Sequence, residues 1–423
     1  MMDRRDRGLR WFVATVSLVV GACGSSNPTP PAGPTPTPTT STAAAAQTSS
    51  PAPSLEVVPL TPGPTATPAP TPTPTPTPLF IPSAGWTSAH RVSATSGCNT
   101  VAAGIDPASR YHIVAECNNS IRYFTSNGIG SWTSRVFIHP ANRMEVGPQI
   151  GFQGDVVYIA YSRLAPDEGC GSDGADVGVY FRTRTLPNGA WSAATRIGSV
   201  ADRLQSFRVD GTTLHATVEN NSRVYYETLN VSTFHRYPIP GAVRTSLRIA
   251  SDGRARIAYE GAAGIRYAVF QGSGFSTSAI SGSDSDDWAP VLVLDAGDKP
   301  HVLWTRSGKP GGCVTGDVPD HGTYYATNTS GTWVTQRITR ATGDASLQVD
   351  ATTGRVHAVV SGDSGLVYYT MAANGAWAHT KVAGTRWGLS LAIRLDPATG
   401  TLLVVYIDAS TAGNQRIYTV TKS

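Results

Sequence analysis

"YYATNTSGTWVTQRI", Tyr324 to Ile338, reads as a strand, a turn and a second strand: an aromatic-headed alternating run, a Ser-Gly turn, then a run opening on Trp333. Ragged versions of it occur six more times. Aligned on the aromatic at the head, the copies are "IRYFTS" (Tyr123), "GVYFRT" (Tyr180), "RVYYET" (Tyr225), "IRYAVF" (Tyr267), "GTYYAT" (Tyr324), "LVYYTM" (Tyr368) and "RIYTVT" (Tyr418), at intervals of roughly 42 to 57 residues. Upstream of each lies an apolar strand, such as "YHIVAE", "LHATVE" or "PHVLWT". Before that comes a short turn and another strand, often ending in Asp, as in "FRVD", "LQVD" and "AIRLD". Downstream, most copies run into a Trp strand, with Phe variants at Phe234 and Phe275.

No run has the 3.6-residue spacing of a helix, so each copy is four short alternating strands. One such sheet cannot bury both faces alone, and a period of this length with four strands per copy is what a propeller blade requires. The last copy stops at Ser423 without its Trp strand, while "GWTSAHRV", Gly85 to Val92, stands ahead of the first copy without a blade. The prediction is an all-β, seven-bladed β-propeller of four-stranded blades, with the N-terminal strand completing the last blade. Closure of this kind removes exposed sheet edges.

Across residues 83–423 the chain resembles the Asp-box (BNR) repeat β-propellers of the sialidase-like superfamily. The turns "SNGIGSW", "LPNGAW", "TSGTW" and "AANGAW" keep the Gly and Trp of that family's S-x-D-x-G-x-x-W box, but mostly lose its Asp and one residue of spacing. The resemblance implies the fold. It implies little about activity, because the boxes lie away from the family's catalytic face. The family's sialidases use an arginine triad, a Tyr nucleophile paired with Glu, and an Arg-Ile-Pro signature before the first blade. "RYPIP", Arg236 to Pro240, lies in blade 3, so no catalytic role transfers.

Ahead of the repeats, Arg4, Arg5, Arg7 and Arg10 precede an apolar run from Trp11 to Val20, too short to span a bilayer but suited to an export signal. It closes on "VGAC", which resembles the bacterial lipobox and implies that residues 1–22 are a lipoprotein signal peptide and that Cys23 carries the lipid. From there to residue 82 the chain is mainly Pro, Thr, Ala and Ser. Such a segment lacks the apolar residues to offset its ordering entropy. It reads as a disordered stalk, reaching on the order of 100 Å at about 3.1 Å per residue where extended. The expected location is the bacterial cell envelope, extracytoplasmic or on the cell surface, with the membrane touched through the lipid anchor only.

The whole sequence carries 33 Lys and Arg against 29 Asp and Glu, and charged residues make up only 15%. No basic run supplies a phosphate-neutralising patch, so nucleic acid is not an expected partner. A monomer without cofactor or metal is expected.

In a four-stranded blade, the connections between strands two and three share a face with those joining successive blades. Two of the former are long: Ser162 to Gly178 in blade 2 and Thr305 to Thr323 in blade 5, nearly opposite in a ring of seven. Each carries one Cys, Cys170 and Cys313, for which a bond across the mouth is one option. Cys98 and Cys117 flank the first hairpin symmetrically about Pro107-Ala108, in register across neighbouring strands, and a bond is expected there. Four exported Cys allow three connectivities. Asp167, Glu168, Asp173, Asp176, Asp317, Asp320 and His321 in the long loops follow neither the EF-hand nor the nonapeptide spacing, and read as solvated loops rather than a Ca²⁺ site.

The inter-blade connections bring Arg143, Arg203, Arg244, Arg340 and Arg386 to the same rim, beside Trp288 and Trp387. Guanidiniums around one funnel suit a carboxylate or sulfate, and Trp faces suit a sugar ring. The competing reading is that these Arg pair with Glu145, Asp202, Asp286, Asp287 and Asp344. Glu116, Glu219 and Glu260 end second strands near the same face, where a carboxylate pair would serve hydrolysis, although blade similarity accounts for their recurrence. The series His112, His215, His301 and His357 reads as packing. The leading expectation is a surface binding module, lectin-like for acidic glycans. A divergent sialidase-like glycoside hydrolase or lyase and a non-catalytic protein-interaction scaffold are the alternatives, and sequence does not decide between enzyme and binder.

Overall fold

Each copy of the repeat folds as an antiparallel sheet whose strands follow one another in chain order from the inside outwards. The computed structural model describes residues 79–80, 85–126, 131–138, 143–165, 176–230, 233–282, 287–307, 320–362, 365–372, 375–382, 388–410 and 414–423. The signal segment, Cys23 and most of the Pro/Thr segment therefore lie outside the described residues. Blade 1 is Cys98–Ile105, Tyr111–Cys117, Ser120–Ser126 and Thr133–Ile138. Blade 2 is Met144–Gln153, Val156–Leu164, Gly178–Thr185 and Thr195–Ile197, and blade 3 is Arg203–Asp210, Thr213–Asn220, Arg223–Asn230 and Thr233–Ile239. Blade 4 is Thr245–Ile249, Ala255–Gly261, Gly264–Phe270 and Phe275–Ala279, and blade 5 is Asp287–Leu294, Pro300–Arg306, Gly322–Thr327 and Val334–Thr339. Blade 6 is Ala345–Val349, Val356–Gly362, Gly365–Met371 and Trp377–Lys381. Blade 7 joins Gly388–Leu395, Leu402–Asp408 and Arg416–Lys422 to His90–Arg91 from the other end of the chain. No helix occurs among the described residues.

The ring closes as the repeat count requires. Each innermost strand touches the next, and Gly388–Leu395 of blade 7 touches Cys98–Ile105 of blade 1. His90 lies opposite Thr419 and Arg91 opposite Tyr418, and Trp86 bridges Lys422. The Thr87 N–H donates to the Thr421 carbonyl and the Val92 N–H to the Ile417 carbonyl, both at 2.9 Å. Blade 6 gains a strand that the repeat does not predict, Leu79–Phe80, which runs parallel to Trp377–Lys381.

Packing explains why one hairpin is rewritten seven times. Seven apolar clusters occur, one at each junction between neighbouring blades. The second strand is sandwiched on both faces, so Tyr111–Cys117 is buried throughout, whereas the outermost strand Phe275–Ala279 is largely exposed. That difference is why second strands read as continuous apolar runs and outer strands do not.

The outer-strand Trp of one blade stands edge-on to the third-strand Tyr of the blade before it: Trp191 to Tyr123 at 5.2 Å between ring centroids, Trp333 to Tyr267 at 5.4 Å, and Trp377 to Tyr325 at 5.2 Å. Trp86 makes the same contact with Tyr368 at 5.3 Å. The orphan strand thus supplies the staple that blade 7 lacks.

Two polar devices recur. Asp at the end of an innermost strand caps the following turn, with Asp106 Oδ1 accepting from the N–H of Ala108 and Arg110, both at 2.9 Å, and Asp295 Oδ1 from those of Gly297 and Lys299, both at 2.8 Å. Serines on innermost strands accept from backbone N–H groups of the next blade: Ser206 from Leu247, Ser246 from Leu292, Ser346 from Ile393 and Ser390 from Val101.

Cys98 and Cys117 are register partners and form a disulfide. Cys170 and Cys313 lie outside the described residues.

Candidate functional site

One face of the ring, here the upper face, carries the inter-blade connections, the heads of the innermost strands and the tails of the second strands. Arg143 forms a forked pair with Asp176, Nε to Oδ2 at 2.8 Å and Nη2 to Oδ1 at 2.6 Å. That hydrogen bonding raises the Arg143 pKa and lowers that of Asp176. Arg244 donates from Nη1 to Glu260 Oε2 at 2.9 Å. Among the described residues, neither Arg203, the first residue of blade 3, nor Arg340, exposed between blades 5 and 6, has a carboxylate partner. Trp288 is half-buried at the head of blade 5. Arg386, Trp387, Asp286 and the loop residues Asp167, Glu168, Asp173 and Asp317 lie outside the described residues.

The strand-head carboxylates are largely taken by guanidiniums that inspection of the inter-blade connections does not find. In blade 2, Arg163 donates to Glu145 Oε1 at 2.9 Å while its guanidinium lies 4.4 Å from the Tyr180 ring centroid. Blade 5 repeats this, with Arg306 donating to Asp287 at 2.7 and 3.1 Å and lying 4.4 Å from the Tyr324 centroid. Both pairs are cross-strand register partners at the ends of second strands, just where the two long connections leave. The signal was the aligned "SR" and "TR" that begin those connections. In blade 3, Arg236 reaches in from the outermost strand to Asp202 at 2.7 Å and stacks 3.9 Å from the Tyr225 centroid.

Behind Asp202 lies a second buried carboxyl, Glu227, with neither oxygen hydrogen-bonded and Arg236 Nε 3.4 Å from Oε1. Burial, then the Asp202 charge, pushes Glu227 up to about 8. A Cβ on Gly198, at φ +73°, would collide with both carboxylates, so glycine is required where they meet.

Among the described residues, Asp344, next to the head of blade 6, has no guanidinium beside it. Its Oδ2 accepts from the Ser390 N–H at 2.8 Å, and burial raises its pKa. Glu116 is satisfied by neutral donors, Asn99, Thr100 and the Gly147 N–H, each at 3.2 Å. The four histidines lie at the other end of their strands. Each bonds a third-strand tyrosine through Nδ1, at 2.6 Å for His112–Tyr123, His301–Tyr325 and His357–Tyr368 and at 2.7 Å for His215–Tyr226. The packing reading of that series therefore has a hydrogen-bond partner for every member.

The upper face and its ring define a seven-bladed propeller whose structural neighbours include carbohydrate-active propellers. An ulvan lyase solved with -[GlcA(1-4)Rha3S]- bound superposes at a TM-score of 0.54 with 12% identity, covering 80% of this chain and 97% of that one. A mutant of the α-L-arabinofuranosidase Arb93A from Fusarium graminearum, in complex with an iminosugar inhibitor, superposes at 0.50 with 9% identity, covering 79% and 97%. The Trypanosoma rangeli sialidase in complex with sialic acid superposes at 0.45 with 9% identity, covering 81% of this chain and 58% of that one. No protein-family model and no curated protein matches the sequence. At these identities the likeness establishes the fold.

Proposed function

We propose that the chain is a lipid-anchored surface propeller that binds an acidic glycan on its upper face. The observation that carries this is an uneven charge balance on that rim. Glu145, Asp202 and Asp287 are consumed by Arg163, Arg236 and Arg306, while Arg203 and Arg340 have no ion-pair partner among the described residues and Trp288 is half-buried at the head of blade 5. Free guanidiniums on a rim stiffened by stacked and paired neighbours need little ordering to receive a carboxylate or sulfate. The bound saccharide of the ulvan lyase neighbour makes the same kind of ligand reasonable here, as an analogy of fold. The signal and stalk would hold the ring clear of the membrane.

One observation favours catalysis as a second reading. Asp344 is a carboxyl with a raised pKa and no cation beside it among the described residues, the state a general acid needs.

Uronate-containing and sulfated oligosaccharides, titrated calorimetrically against residues 83–423, test both. Arg203→Ala or Trp288→Ala is expected to weaken binding about 10- to 100-fold. Turnover abolished by Asp344→Asn would make the protein an enzyme. Failure to bind any acidic glycan, or binding indifferent to both substitutions, would overturn the proposal.

A further inference from the structure

A second concave site lies on the lower face, where blades 3 and 4 leave a cleft of about 580 Å³. Blade 3 lines it with two cross-strand rows. Thr213, Asn230 and Thr233 are register partners at the lower ends of the second, third and outermost strands, and His215, Thr228 and His235 form the next row. Alternate residues of a strand share a face, so both rows lie on the same side as Tyr226, which belongs to the core between blades 3 and 4. Blade 4 forms the opposite wall with Phe270, Gln271 and the turn glycines Gly253 and Gly272, where an added Cβ would meet no atom within 4 Å.

The rows are neutral, and most of their polar groups lack a partner. Among the described residues, the hydroxyls of Thr213, Thr228 and Thr233 have no hydrogen-bond partner. Asn230 Oδ1 accepts from Thr212 at 3.3 Å, and its Nδ2 has no partner among the described residues. His215 bonds the Tyr226 hydroxyl through Nδ1 at 2.7 Å, while its buried Nε2 has none. In blade 1 the equivalent nitrogen of His112 meets Asp106 at 3.1 Å, and Phe152 of the next blade lies against that ring, 5.0 Å between centroids. Burial lowers His215 to about 4, so the imidazole is uncharged at neutral pH. Among the described residues no carboxylate lines the cleft, and the guanidinium that does, Arg254, lies 3.6 Å from Asp252 and donates to Gln271 Oε1 at 3.3 Å.

An aligned cleft of about 540 Å³ lies between blades 5 and 6. There Val334 takes the place of His235, Met371 that of Phe270, and Asp295 joins the wall. A lower-face cleft thus belongs to the repeat, and the neutral polar rows facing an aromatic ring set this one apart.

We propose that the cleft between blades 3 and 4 binds one neutral sugar ring, its hydroxyls bonded by Thr213, Thr228, Thr233 and Asn230 and its apolar face laid against Phe270. Threonine hydroxyls both donate and accept, and an amide offers one group of each kind, which matches the hydroxyls of a sugar. The volume lies in the range of small-molecule sites. Thr213 and Asn220 end one strand, about 23 Å apart, so the site is separate from the upper rim and does not rest on the acidic-glycan reading.

Ligand-observed NMR titration of the protein with the methyl glycosides of glucose, galactose, mannose and xylose should show saturable binding of at least one, with Kd of about 1 mM for a single ring. Thr228→Val/Thr233→Val keeps the strand-favouring shape and removes two hydroxyls, and should weaken that binding about 10- to 30-fold. Arg203→Ala should leave it unchanged, which keeps this result distinct from that of the upper face. Absence of saturable binding by all four glycosides, or affinity unchanged in the double variant, would overturn the site. Binding lost in Arg203→Ala but kept in the double variant would put the sugar on the upper rim and refute it equally. Should the double variant fail to fold, the exposed Asn230 serves in its place: Asn230→Ala is expected to weaken binding about fivefold, and unchanged affinity refutes the assignment.

Discussion

Glu227→Gln is expected to stabilise the propeller at alkaline pH and to leave it unchanged at acid pH. Glu227 and Asp202 crowd against Gly198, and one guanidinium, Arg236, serves both. Two carboxylates with one cation in a buried site share a proton rather than ionise together. The folded-state value for Glu227, about 8, lies above the reference 4.5. The native state therefore holds this proton more tightly than the unfolded chain does. Its contribution is whole below about pH 4.5 and is lost as pH rises through about 8.

At 1.36 kcal/mol per pKa unit the full loss is about 5 kcal/mol. For roughly 340 residues the unfolding entropy is about 0.7 kcal/mol/K, which converts the loss to about 7 °C in Tm. Gln mimics the protonated acid in shape and donates from its amide. Melting curves of wild type and variant should coincide near pH 5 and separate by several degrees near pH 9, with the variant higher. The difference is the informative quantity, because the buried histidines tilt the absolute curve the other way. Burial lowers His215 and His357 to about 4, so they destabilise as pH falls below 6.5. If Glu227 is instead the ionised partner of Arg236, the variant will be less stable by a similar amount at every pH, and the shared-proton account fails.

Two further outcomes follow from the ring. Replacing both Cys98 and Cys117 by Ala should lower Tm by about 4 °C under non-reducing conditions, since closing a loop of 19 residues is worth about 3 kcal/mol; a drop under about 1 °C would mean that the bond constrains little. Trp86→Ala should cost about 2 kcal/mol, about half the usual value for a fully buried Trp, whereas removing residues 85–92 should expose the edge Arg416–Lys422 and produce oligomers on size exclusion; a monomeric, equally stable truncation would refute closure as the stabilising device.

The fold is legible in the sequence because one contact recurs at four of the seven junctions. There a third-strand Tyr and a Trp leading into the outer strand of the next blade meet edge-on, and Trp86 is recognisable as the member supplied from the other end of the chain. The rim is half legible. Topology brings Arg143 and Arg244 to the upper face as expected, but which carboxylate each meets is a matter of side-chain reach that periodicity does not encode, and Asp176 and Glu260 hold them. Arg163 and Arg306 were readable only by aligning the ends of second strands.

A repeat protein contains its own comparison set, and departures from the repeat carry the functional information. Stability of the rim is met in blades 2 and 5 by one device: an acid at the head of the innermost strand, an Arg at the tail of the second, and a Tyr beneath the guanidinium. Blades 4 and 6 have Gly261 and Gly362 where blades 2 and 5 have Arg163 and Arg306, and the acid near Gly362, Asp344, accepts from a backbone amide of blade 7 and meets no guanidinium among the described residues. The Arg is a device of blades 2 and 5, and a Cβ on Gly362 would meet only ordinary contacts, the Gly365 carbonyl at 3.7 Å and the Ala341 Cβ at 3.8 Å. A buried carboxyl left without its cation costs stability, and such a cost persists where it serves binding or proton transfer. Grafting the repeat's own answer, Gly362→Arg, is therefore the discriminating change: if Asp344 serves the upper face, the graft will raise stability and abolish the ligand response together, whereas a gain in stability with the ligand response intact would make blade 6 an accident of drift.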